Sequence, residues 1–136
     1  MTLLPTAADL AALSRRDNGI DRDLAARLMS AGADRDLEIL DAALGAHPNV
    51  GDIRRRGMMV GIELVRDRAT KAPFDVRTRA AWNVCRAAMD RGLRIRPLGD
   101  VVVLMPPLGI DDALLVRLVE LLRAAMDDVL PPKETA

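Results

Sequence analysis

The chain has 136 residues, 50% of them hydrophobic and 29% charged, with Lys+Arg and Asp+Glu both totalling 20. That is enough chain for one domain with its own core, and the composition excludes a disordered polymer. The charge balance leaves no electrostatic footprint for nucleic acid or an anionic membrane, and no apolar stretch approaches the ~20 residues that span a bilayer.

Residues 1–34 read as a small helical segment. Thr6 is placed to cap "TAADLAAL", and Asp17-Asn18-Gly19 marks a turn. "DRDLAARLMSAG" puts Leu24, Ala25, Leu28 and Met29 on one face and ends at Gly32. Residues 35–46 continue as a helix with Leu37, Leu40 and Leu44 on one stripe, until His47-Pro48-Asn49 breaks it. The basic strip Arg54, Arg55 and Arg56 reads as a solvated connection leading into a strand. That strand is predicted over residues 57–65, "GMMVGIELV", where Met58, Val60, Ile62 and Leu64 alternate with a half-apolar second face.

A loop follows over residues 66–75. The spacing then predicts a helix over 76–91, with Ala81, Val84, Cys85 and Ala88 facing inward and Gly92 ending it. Leu93–Arg96 and Val101–Met105 read as two strands joined by a Pro97–Asp100 turn, and Pro106-Pro107 stops the pairing. Asp111 is placed to cap a last helix striped by Leu115, Leu118, Val119, Leu122, Ala125, Met126 and Val129. The sum is an α+β layer: a small, mostly antiparallel sheet of about three strands covered by helices, with an extra helical N-terminal segment. The domain division expected is 1–34 and 35–136.

The side chains limit the chemistry. There is no glycine-rich phosphate loop and no serine in a nucleophile elbow. His47 is the single histidine and reads as solvent-exposed or structural. Cys85, the single cysteine, lies on the apolar face of a helix and reads as a core residue; no disulfide forms within the chain. One His and one Cys do not make a metal site without several carboxylates. Asp111-Asp112 and Asp127-Asp128 read as a cap and a solvated helix end. Phe74 and Trp82 are the only aromatics, and Lys71 and Lys133 the only lysines. The N-terminus has no positively charged leader before its apolar part, so a cytoplasmic location is expected. Arg96 remains. It sits at a strand end beside a turn, where a guanidinium serves either as a plain surface cation or as a bidentate grip on a carboxylate.

"VGDIRRRGMMVGIELVR", then "RPLGDVVVLMPPL" and a terminal amphipathic helix, resemble the C-terminal small domain of class III pyridoxal-phosphate-dependent aminotransferases. Arg54, Gly57, Gly61 and Glu63 carry the first motif, and the apolar strand ending in Pro106-Pro107-Leu108 the second. The likeness covers about residues 36–130. "RPLG" is narrower and is similar to a branch of the class acting in biotin biosynthesis, which moves an amino group from S-adenosylmethionine to 8-amino-7-oxononanoate.

The resemblance implies that Arg96 binds the substrate carboxylate. It also implies a second position near cofactor and substrate, seven residues on, which is often tyrosine in the family and is Val103 here. The family's Schiff-base lysine, its phosphate loop and the aspartate that pairs with the pyridine nitrogen belong to a large domain upstream. Neither Lys71 nor Lys133 matches that lysine. The resemblance therefore implies pyridoxal phosphate, but not bound by this chain alone. It also implies that the chain is inactive alone, because the Schiff-base lysine domain is missing, and that its partner is a large-domain chain or a second copy. From the composition and side chains, no catalytic residue, metal, nucleic acid or membrane is expected to be engaged here. The alternative is a standalone interaction or regulatory domain derived from the same fold, its faces covered by residues 1–34.

Overall fold

The computed structural model describes residues 34, 35, 38–107 and 109–130. The expectations for the helical segment 1–33 and the tail 131–136, Lys133 included, lie outside the described residues.

Helix α1 includes residues 38–44, where it buries Leu40 and Leu44. The chain then turns through Gly45 and Ala46 to a pair of buried polar residues, His47 and Asn49. The Asn49 backbone N–H donates to His47 Nδ1 at 3.1 Å, which leaves Nε2 as the protonated nitrogen facing Asp127 Oδ1 at 3.0 Å. The Asn49 side chain donates to the carbonyls of Val65 (3.1 Å) and Arg66 (3.4 Å). These bonds replace the water the buried groups lose. His47 is thus structural, and the solvent-exposed half of its expectation is corrected.

Among the described residues the sheet has four antiparallel strands, β1 (Val50–Arg56), β2 (Met59–Leu64), β3 (Arg96–Leu98) and β4 (Val101–Leu104), in the order β1-β2-β4-β3, one more than the three expected. The added strand is β1, Val50–Arg56, which contains the arginine strip read as a connection. Its hairpin with β2, Met59–Leu64, closes through Gly57-Met58, with Gly57 at φ 59°. The single strand expected from residue 57 therefore begins inside a turn. Arg55 pairs with Asp34, and Arg54 with Asp52 and Glu63, so two of the three arginines are engaged rather than simply solvated.

Asp75 accepts the Arg77 N–H and closes a 3-10 turn, Val76–Thr78, before helix α2, Ala80–Asp90. The helix predicted from residue 76 thus starts four residues later, after Arg79 in the left-handed region at φ 51°. Its buried face is Ala80, Ala81, Val84, Cys85 and Ala88, which matches the apolar spacing.

Strand β3 is Arg96–Leu98 and β4 is Val101–Leu104, joined by Gly99-Asp100. The first of these was expected over 93–96 with its turn beginning at Pro97. The structure moves Pro97 into the strand, which is allowed because β3 is the sheet edge and a missing N–H costs no ladder bond there. Asp111 caps α3, Asp112–Val129, by accepting the Leu114 N–H at 2.7 Å. Asp128 pairs with Arg91 and Asp127 with Arg123, while Asp127 also accepts from His47 Nε2, so this helix end is tied down by ion pairs and a hydrogen bond.

Val60, Ile62, Leu64, Val102 and Leu104 join Ala81, Val84, Val119, Leu122 and Met126 in one core between the sheet and the helices. The helices lie on that side only. Among the described residues no helix covers the other side of the sheet.

Candidate functional site

That uncovered side has a definite order. Arg54 lies opposite Gly61, Gly61 opposite Val103, and Val103 opposite Arg96. The four form one row across all four strands, and side chains in such a row share a face. The neighbouring row is Asp52, Glu63, Val101 and Leu98.

Arg54 anchors one end. Its guanidinium donates to Glu63 Oε2 at 2.7 Å and to Asp52 Oδ2 at 3.0 Å. The Glu63 bond first, and the Asp52 bond second, push the already high arginine pKa further up. Gly61 lets these groups approach the sheet: a Cβ there would meet Val101 Cγ1 at 3.3 Å and Arg54 Cγ at 3.9 Å. Arg96 anchors the other end, three strand spacings or about 14 Å away. It is exposed, and its side chain has no hydrogen-bond or ion-pair partner among the described residues. Val103 directly across is half-buried. The row thus presents a charged fork, an apolar step, a gap at glycine and a neutralised arginine. Such an arrangement can hold a carboxylate at Arg96 and an aliphatic stem across Val103 and Gly61.

The other residues weighed in the sequence stand elsewhere. His47 is in the core beside α3. Lys71, the described lysine, is exposed in the loop after β2, and its Nζ contacts the Gly51 carbonyl on β1. It therefore lies at the sheet edge opposite the one that carries Arg96. No group of three His, Cys, Asp or Glu side chains among the described residues could hold a metal ion.

Cys85 is 6% exposed, and burial pushes its thiol up from 9.0 to about 11. An unfolded thiol ionises at the lower value while the folded one keeps its proton. Ionisation between these two values therefore favours unfolding, and Cys85 is expected to cost stability as pH rises from about 9 toward 11. Urea midpoints of the native chain and Cys85→Ala measured across that window would test this. The expected result is a flatter profile for the variant, and parallel profiles would refute it.

The comparisons with known proteins give this geometry a context. The family model described as aminotransferase class III matches residues 22–126. The chain belongs to the class III aminotransferase family. The match begins upstream of residue 36, where the quoted motifs place its start. The adenosylmethionine-8-amino-7-oxononanoate aminotransferase of Nitratidesulfovibrio vulgaris is 50% identical over 90 residues, covering 66% of this chain and 17% of the relative. The crystal structure of the enzyme of that name from Methanocaldococcus jannaschii superposes with a TM-score of 0.69 at 30% identity, over 80% of this chain and 25% of that one. A Vibrio fluvialis aminotransferase solved in its PMP-bound form gives a TM-score of 0.72 at 32% identity, over 86% of this chain and 25% of that one. The chain thus spans a quarter or less of the length of these class III relatives.

The class III cofactor implied for the family is pyridoxal phosphate, which as an aldehyde needs a lysine amine and as a phosphate needs clustered donors. The described residues do not fit it. Lys71 faces a backbone carbonyl at the far edge of the sheet, and no phosphate-cradling loop adjoins it.

Proposed function

We propose that residues 35–136 are the C-terminal small domain of an aminotransferase of biotin biosynthesis that transfers an amino group from S-adenosylmethionine to 8-amino-7-oxononanoate. In this reading Arg96 binds the carboxylate of the oxononanoate substrate. The lysine and the pyridoxal phosphate it carries come from a large-domain portion seated on the uncovered side of the sheet, and the chain alone is inactive. The enzyme works in the cytoplasm, as a dimer or with a separate large-domain chain. Among the described residues no helix is long and apolar enough to cross a membrane.

The observation that carries the reading is the Arg96–Val103 cross-strand pair on an open face. The two positions the resemblance singles out are direct neighbours there. The relatives of matching name, up to 53% identical over 62 residues in Geobacter sulfurreducens, supply the substrate.

The test is a chimera. The large-domain portion of the Nitratidesulfovibrio vulgaris relative, cut before the region of similarity, is produced alone, together with this chain, and fused to it. Diaminopelargonate formation is expected from the fusion or the pair, and not from either part alone. A folded fusion that binds pyridoxal phosphate yet leaves 8-amino-7-oxononanoate untouched would refute the substrate assignment. Turnover by this chain alone would refute its dependence on a large domain.

A further inference from the structure

Strand β3 separates two surfaces. Arg96 points to the uncovered side of the sheet, whereas Pro97 points to the helix side with its partner Val102. On that second side an open groove of about 300 Å3 runs between α2 and the segment leading into β3. Trp82, Cys85 and Met89 form one wall, and Ile95 and Pro97 the other. Arg86 and Arg94 line the same groove.

Three features make this more than a crevice. The walls are apolar yet wet: Trp82 is 38% exposed and Met89 53% exposed, so a ligand there would remove real apolar surface from water. The Trp82 ring is held by two cations, with the Arg79 guanidinium 4.4 Å and the Arg86 guanidinium 5.5 Å from its centroid. Finally, neither Arg86 nor Arg94 has a carboxylate partner among the described residues, and both exposed guanidiniums line the same apolar groove. An anion with an apolar tail answers both conditions. Its carboxylate neutralises the guanidinium pair, and its chain covers Trp82, Met89, Ile95 and Pro97. The volume lies at the small end of the range for small-molecule sites, which suits a chain of a few carbons.

We propose that this groove binds an amphiphilic monocarboxylate of medium chain length, its carboxylate on Arg86 and Arg94 and its tail along the Trp82–Pro97 floor. The site is separate from the Arg96 row and does not depend on the aminotransferase reading. Cys85 closes the floor as a buried, protonated thiol, which keeps that end apolar.

The molecule carries its own reporter, because Trp82 is the sole tryptophan and tyrosine is absent. Octanoate is titrated into the full chain while Trp82 emission is followed. Saturable change at millimolar octanoate is expected. 1-Octanol and octyltrimethylammonium are expected to bind at least about tenfold more weakly, since they lack the charge-assisted bonds. Arg86→Gln also alters the ring's surroundings, so calorimetry of Arg86→Gln and Arg94→Gln is the companion measurement. Each is expected to weaken octanoate about tenfold, while Arg117→Gln on the exposed face of α3 is expected to leave it unchanged. The proposal is overturned by any of three results: no saturable response, octanol binding as well as octanoate, or equal losses in Arg94→Gln and Arg117→Gln. Occlusion of the groove by another part of this chain or by a second copy would register as the first of these.

Discussion

Ile62→Ala is expected to destabilise the chain by about 2–5 kcal/mol in urea denaturation, close to the whole stability of a small domain. Ile62 is fully buried on β2, an inner strand of the sheet. Its backbone neighbours are Ile53 on one side and Val102 on the other. Both flanking strands are fixed by their ladders, so the walls cannot move in to fill the space left by the missing carbons. The loss then includes a cavity as well as lost burial. Met59 sits on the same strand but 45% exposed, and Met59→Ala is expected to change stability by no more than about 0.5 kcal/mol. A loss below about 1 kcal/mol for Ile62→Ala would mean that the sheet–helix interface is not the cooperative core described here.

The contrast between these two residues also shows what could be read before the fold was known. The helix side of β2 and the stripe of α3 were legible because their apolar periods are clean: Val60, Ile62 and Leu64 at alternate positions, Leu115, Val119, Leu122 and Met126 at helical ones. Strand β1 was not, because its pattern is written in arginine. Arg55 faces the helix side and Arg54 the open side, and both are cations by sequence. What separates them is their partners, Asp34 for one and Asp52 with Glu63 for the other, and those come from other elements.

His47 was ambiguous for a related reason. A histidine before proline looks like a loop residue until Asp127, eighty positions away, is placed against it. Proline misled at β3, where Pro97 reads as a strand end but lies within an edge strand. Arg96 and Val103 were individually legible through the family motif. That they face each other follows only from the hairpin register, which turns on Gly99-Asp100 rather than on residues 97–100.

In the fused chimera, Arg96→Gln is expected to raise KM for 8-amino-7-oxononanoate about a hundredfold and to change kcat much less. A bidentate guanidinium–carboxylate pair comprises two charge-assisted bonds, and losing them costs about 3 kcal/mol when the ligand carboxylate is left without a partner. The effect falls on KM because the carboxylate is held equally before and during the amino transfer, so the lost interaction is uniform binding. Arg96 suits this split. It is exposed and free of ion-pair partners among the described residues, so no internal bond must break before substrate arrives and none is orphaned by the substitution. Arg96→Lys is expected to recover part of the loss, since an ammonium restores the charge without the planar fork. KM for S-adenosylmethionine, the amino donor, is the internal control and is expected to stay within about twofold, because a structural collapse of the small domain would move both values together. A fall in kcat with both KM values unchanged would sink the carboxylate role and leave Arg96 as a cation that positions the large domain on the open side of the sheet.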